Sequence, residues 1–304
     1  MMTTDVQNHF ADRFYQAVGV KGAPVCVGLD PVFERMPIAL TGGQSSPSDD
    51  QHAAEVFETY CLGLLEAVAP YCPIVKPQLA CFERYHAPGF AVYHKMVQAA
   101  KSLGIMVLAD GKRGDIGTSS AHYAAGLLGA PDGADALTVN PYLGVDGIEP
   151  FAKVANEQGK GLFSLVRTSN PGGDALQTQK LADGRSVAEM VAELVADFGA
   201  NYVGACGYSL LGAVVGATKS KDGAALRAKM PQQIFLVPGY GAQGGTADDV
   251  KPLFKQDGTG AIITASRSVI YAYLQQDGEQ AADWKAAIAS AAKQLRDEIQ
   301  GILS

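Results

Sequence analysis

Eight short apolar, β-branched runs recur along this 304-residue chain, each ended by Gly, Pro, Asp or Asn and followed by an amphipathic, alanine-rich stretch. The runs predict strands at Val25 to Asp30, Ile74 to Gln78, Ile105 to Asp110, Ala136 to Asn140, Leu162 to Val166, Tyr202 to Cys206, Ile234 to Pro238 and Ala261 to Thr264. Helical periodicity falls at Ala54 to Ala69, Val92 to Leu103, Ser119 to Leu128, Val187 to Phe198, Ala224 to Met230 and Ala247 to Gln256. Two further patterns, Val269 to Gln275 and Trp284 to Leu303, close the chain. Strands alternating with helices imply a parallel sheet, and eight such strands fit a closed (β/α)8 TIM barrel better than an open doubly wound sheet. Barrels routinely hold ~250 residues in one piece. Residues 1–304 are therefore read as a single domain, with Thr41 to Asp50 and Gly172 to Gly184 as long loops on the rim. Neither glycine cluster, at Gly42 or at Gly241, has the G-x-G-x-x-G spacing of a dinucleotide site.

Composition narrows the partners. A net charge of −7 leaves no basic face to neutralise phosphodiester backbones or anionic lipid, so nucleic acid and membrane are not expected. Any anionic ligand must be held by a few local cations. The five cysteines are odd in number and never form a C-x-x-C pair, which indicates neither a disulfide framework nor a zinc knuckle. The polar Met1 to Phe10 segment lacks an apolar core, and Phe198 to Thr218 is too interrupted by glycine and polar residues to span a bilayer. A cytoplasmic protein is expected.

In a barrel, chemistry sits at the C-terminal strand ends, so polar residues there need a reason. The first strand delivers Asp30, followed by Pro31, and the second carries Lys76 inside an otherwise apolar run. A lysine there must face a polar cavity or pair with an acid. The third runs through D-G-K-R-G-D-I, where period-two alternation sends Leu108, Asp110 and Lys112 to one side if strand geometry continues, with Asp115 in the turn beyond. Strands seven and eight lead into P-G-Y-G-A-Q-G-G and I-I-T-A-S-R-S-V. Loops after those two strands commonly bind phosphate through glycine amides and one basic side chain, here with Gln243 and Arg267 in place. Each residue also has a plainer reading. Asp30 can be a turn residue before proline, Asp115 a cap for a helix near Ser119, Arg267 a surface arginine, and the four charges of Lys76, Asp110, Lys112 and Asp115 a neutral structural network. Burying four charges costs more than apolar packing, which favours chemistry.

D-G-K-R-G-D-I (Asp110 to Ile116) matches the D-x-K-x-x-D-[IV] signature of the orotidine 5'-phosphate decarboxylases. C-V-G-L-D-P, I-V-K-P-Q, T-V-N-P-Y-L-G, V-R-T-S-N-P-G and P-G-Y-G-A-Q-G-G follow the same order, so from Val25 to Arg267 the chain resembles the longer bacterial subfamily. One departure is Ser119, preceded by Thr118, where the family carries threonine four residues after the second motif aspartate. The resemblance implies cofactor-independent decarboxylation of orotidine 5'-phosphate to UMP in de novo pyrimidine biosynthesis. It implies that Asp30 and Lys76 hold ribose hydroxyls, that Ser119 keeps a hydroxyl for a ribose or partner contact, and that Ser169 meets the pyrimidine edge. Gln243 and Arg267 would grip the 5'-phosphate. Lys112, held as the ammonium by Asp110 and Asp115, would stabilise and protonate the C6 carbanion, with Asp115 reaching the neighbouring subunit's site in a homodimer. Two other activities share the frame: a metal-dependent lyase or decarboxylase acting on keto-sugar phosphates, and a phosphate-binding barrel without turnover.

Overall fold

The computed structural model describes residues 9–129, 133–241, 244–274 and 280–303. Eight parallel strands, β1 (Val25–Leu29), β2 (Ile74–Pro77), β3 (Met106–Arg113), β4 (Ala136–Val139), β5 (Gly161–Arg167), β6 (Leu211–Val215), β7 (Phe235–Pro238) and β8 (Ala261–Ala265), pair in that order. β8 returns to pair with β1 through Val25 to Val27, closing a (β/α)8 barrel. The longer helices are α1 (Phe10–Lys21), α2 (Asp50–Val68), α3 (His86–Ser102), α4 (Gly117–Leu128), α5 (Glu149–Gln158), α6 (Val187–Gly199), α7 (Ser220–Lys229) and α8 (Trp284–Leu303). Among the described residues, no helix is long and apolar enough to cross a membrane.

Period-two alternation builds the barrel interior. Cys26, Ile74, Met106, Leu108, Ala136, Phe163, Val214, Ile234, Leu236 and Ile262 form one buried cluster, and the outward residues between them pack against the helices in a second. α1 closes the N-terminal mouth by feeding Phe10 and Phe14 into the inner cluster, with the Phe10 ring edge-on to Phe163 at 5.8 Å. One pleat further on, the same inward columns present Lys76, Asp110, Thr138 and Thr264, and the loop after β1 presents Asp30. The plugged end is thus apolar and the open end polar.

Five sequence expectations need correction, the first being the helix over Val269 to Gln275, which is a single turn, Arg267–Ile270, that ends before Tyr271. Strand six is Leu211–Val215, not Tyr202 to Cys206. The latter segment is irregular, because Gly204 interrupts it, Gly207 turns the chain just beyond it at φ +81°, and the Asp12 carboxylate takes the N–H groups of Ala205 and Cys206. Helices α1 and α5 were not foreseen; α5 buries only Phe151, Ala152 and Ala155, too few apolar positions for a clear period. The helix expected over Ala247 to Gln256 is a single α turn, Ala247–Val250, continued as a 3-10 turn, since Pro252 removes a donor and restricts the residue before it. Finally, Gly172 to Gly184 is not a plain loop: it carries the end of a 3-10 turn, Pro171–Gly173, and the helix Asp174–Gln177.

Candidate active site

A cavity of about 550 Å³ opens at the C-terminal end of the barrel. On one wall the charges alternate in sign from β1 to β3. Lys76 Nζ lies 2.6 Å from Asp110 Oδ2, and Lys112 Nζ lies 2.7 Å from Asp110 Oδ1. Asp30 sits beyond β1, its Oδ2 accepting a 2.6 Å hydrogen bond from Ser266 of the β8 loop, while its buried Oδ1 has no hydrogen-bond partner among the described residues. Gly28 permits that approach, because a Cβ there would lie 2.9 Å from the Ser266 Cβ. Exposure separates the two lysines: the Lys76 side chain is 8% exposed and the Lys112 side chain 47%. Lys76 and Asp110 are a buried pair, whereas the Lys112 ammonium projects into the cavity.

The electrostatics follow from that packing. Burial drives the Asp110 carboxyl up, but Lys76 and then Lys112 outweigh it and hold Asp110 well below the usual carboxylate range. Burial likewise pulls the Lys76 ammonium down, and the carboxylates of Asp110 and Asp30 reverse the sign and raise it. Both groups are therefore ionised at neutral pH. Gln78 Nε2 reaches Asp110 Oδ2 at 3.4 Å, and Thr138 Oγ1 donates to Asp110 Oδ1 at 2.9 Å.

The opposite wall is the segment after β5. Thr168, Ser169, Asn170, Gly172 and Gly173 line the cavity together with Leu176 and Gln177 of the short helix. Arg167, 4% exposed, anchors the segment through 2.7 Å bonds to Asp222 and Asp174, and Lys219 holds Asp174 from the other side. Gly216 follows β6 where a side chain could not fit: its Cβ would meet the Ser169 backbone at 2.8 Å. Pro238 at the end of β7, Gly239 and Tyr240 beyond it, and Ser266 and Arg267 after β8 complete the rim.

Of the residues singled out from sequence, Asp30, Lys76, Asp110, Lys112, Ser169 and Arg267 line this one cavity. Asp115 and Ser119 do not. Gln243 lies outside the described residues. Asp115 does not cap a helix near Ser119 either, because α4 begins at Gly117 with Ile116 at its N-cap and no side-chain cap bond among the described residues, and Asp115 Oδ1 accepts the adjacent Ile116 N–H at 2.8 Å. Thr138, Thr264, Gln78 and Ser266 belong to the cavity and were missed. Thr138 and Thr264 could have been found by following the inward column of β4 and β8 past Ala136 and Ile262.

Such a cavity can hold an anionic ligand at its rim and set an ammonium against negative charge at its base. The chain matches the family model for "Orotidine 5'-phosphate decarboxylase / HUMPS family" over residues 23–283. It is 40% identical over 301 residues to the orotidine 5'-phosphate decarboxylase of Rhodopirellula baltica, covering 96% of this chain and 99% of that one. The enzyme of the same name from Deinococcus radiodurans is 43% identical over 280 residues, 92% of each chain. The solved structure of Leishmania donovani OMP decarboxylase superposes with a TM-score of 0.76 at 30% identity, over 97% of this chain and 98% of that one. A barrel with this charge array, matched by sequence along nearly its whole length, belongs to the orotidine 5'-phosphate decarboxylase / HUMPS family.

Proposed function

We propose that this protein removes CO2 from orotidine 5'-phosphate to give UMP, without metal or organic cofactor, as a step of pyrimidine synthesis. The observation that carries the reading is the alternating array Asp30, Lys76, Asp110, Lys112 at one end of the barrel. Breaking the bond from C6 to the carboxylate leaves an electron pair on C6 with no neighbouring carbonyl to delocalise it. Stabilisation must then be electrostatic. The Lys112 ammonium faces that pair and transfers one of its protons to C6 as CO2 leaves, while Asp110 holds the ammonium in place. Asp110 also repels the substrate carboxylate, by about 4 kcal/mol for unit charges 4 Å apart at an effective dielectric of 20. Asp30 and Lys76 take ribose hydroxyls, Ser169 the pyrimidine edge, and Gln243 with Arg267 the phosphate, whose binding energy orients the reacting carbon.

Asp115 and Ser119 are assigned to the neighbouring subunit's site in a homodimer. What supports this is their position outside this chain's own cavity, in a loop and helix flanked by exposed Ile116, Tyr123, Tyr142, Leu143 and Val145. A cluster of exposed apolar side chains around a charged residue is the composition of a subunit contact. The family's other members acting on keto-sugar phosphates through a metal-stabilised enediolate call for an additional carboxylate ligand near β1. Here Asp30 is engaged by Ser266 and Asp110 by two lysines.

The deciding experiment adds purified, metal-stripped protein to orotidine 5'-phosphate and follows absorbance. The expected result is loss of substrate absorbance at a rate unchanged by chelator. No change, or turnover only after Mg2+ is restored, overturns the proposal. Arg267→Ala tests the phosphate assignment. Losing a charge-assisted contact of ~1.5–3 kcal/mol should lower kcat/KM roughly ten- to a hundredfold, mainly through KM. The phosphate-free nucleoside should react equally with variant and parent, and an equal loss with both substrates places Arg267 elsewhere.

A further inference from the structure

β3 and β4 pair in register as far as Ala109 and Leu137, and again at Arg113 and Val139. Between these points Asp110, Gly111 and Lys112 on β3 face a single residue of β4, which is Thr138. The bulge turns Lys112 into the left-handed region, φ +46°, a conformation that non-glycine residues seldom adopt and that persists only where the surroundings hold it. It also takes the Lys112 N–H out of the regular ladder, and the Thr138 hydroxyl accepts that N–H at 2.8 Å. The same hydroxyl, fully buried, gives its only proton to Asp110 Oδ1 at 2.9 Å. Directionality is fixed, since a backbone N–H can only donate and an ionised carboxylate only accept. Asp110 Oδ1 in turn receives the Lys112 ammonium.

We propose that Thr138 is a positioning residue for the proton donor, holding Lys112 at both ends of its side chain. It grips the base through the main-chain N–H and the tip through Asp110 Oδ1. Resting on the decarboxylase reading, this explains how a half-exposed lysine on a bulge keeps its ammonium aimed at one carbon. Valine has the same shape as threonine and can make neither bond.

The test compares Thr138→Val and Thr138→Ser with the parent. Misplacing a reacting group by about 1 Å costs on the order of a hundredfold. Thr138→Val should therefore lose roughly 30- to 100-fold in kcat with KM and UMP affinity within about twofold, and Thr138→Ser, which restores the hydroxyl, should stay within about threefold of the parent. A valine variant at parental kcat, a serine variant as impaired as valine, or a loss confined to KM overturns the proposal. Should Thr138→Val not fold, Thr138→Cys, compact and a poor hydrogen bonder, carries the same expectation. Amide hydrogen exchange at Lys112 supplies a reading independent of turnover: it should quicken in the valine variant and not in the serine variant. A parent inert toward orotidine 5'-phosphate overturns the proposed function instead, and unaltered Lys112 exchange in Thr138→Val then removes the positioning role on its own evidence.

Discussion

Lys112→Ala should eliminate decarboxylation, by about a thousandfold or more, while UMP and related nucleotides still bind. The structure contains two lysines on the Asp110 carboxylate, but they are not equivalent. Lys76 is buried against Asp110 Oδ2, and its ammonium is committed there by two acids. Lys112 has the half-exposed side chain, lining the cavity, whose ammonium can meet a substrate atom. In the proposed mechanism its removal would delete both the counter-charge to the C6 carbanion and the proton that quenches it, and effects of that kind fall on kcat because they act in the transition state. On the proposed assignment, affinity would rest instead on the distant rim, where Arg267 and the glycine-rich segment after β7 line the cavity. Single-turnover absorbance measures the first quantity and titration calorimetry with UMP the second. Retention of more than a few per cent of parental turnover would remove Lys112 from the proton-donor role.

Mixing two inactive variants should restore activity. If Asp115 completes the neighbouring subunit's site, Asp115→Ala and Lys112→Ala are each nearly dead alone. Subunit exchange produces a heterodimer in which one site carries both lesions and the other carries neither. That heterodimer should work at about half the parental rate, and since random reassortment makes only about half the dimers mixed, the pool should approach roughly a quarter of parental activity. Were Asp115 to act within its own chain, every site would contain one lesion and nothing would return. An inactive mixture, with exchange established by mass spectrometry, would sink the shared-site model. Asp115 would then be a surface carboxylate whose structural bond is to the Ile116 N–H.

The charged part of the site was legible because lysine and aspartate inside apolar strands are conspicuous: Lys76 in I-V-K-P-Q must face a polar cavity or pair with an acid. Threonine in a strand is not conspicuous, since it is a favoured strand residue, so nothing in the sequence marks Thr138 and Thr264 as lining a cavity. Simple alternation foresaw that Asp110 and Lys112 would meet, on the condition that the strand stayed regular. They do meet, at 2.7 Å, but through a bulge and a left-handed lysine that no periodicity encodes. The fold came through despite the displaced sixth strand, because the true strand, Leu211–Val215, lies a few residues downstream in the same gap between helices. Long elements with a strong period declared themselves. Those ordered mainly by tertiary contacts, such as α1 under the barrel, did not.

The hydrogen bond between Ser266 and Asp30 crosses the seam where β8 meets β1, joining residues 236 positions apart. During translation the N-terminal strands emerge first, and the charge array on β1 to β3 can assemble while later strands are still unmade. Through that interval β1 has a bare edge and Asp30 lacks its serine. The arginine and serine of the rim arrive only with β8, so the rim and the charge-bearing half of the cavity come together in one late, long-range closure. A nascent chain on the ribosome thus passes most of its synthesis with no substrate site at all, and nucleotide can stabilise the fold only after that closure.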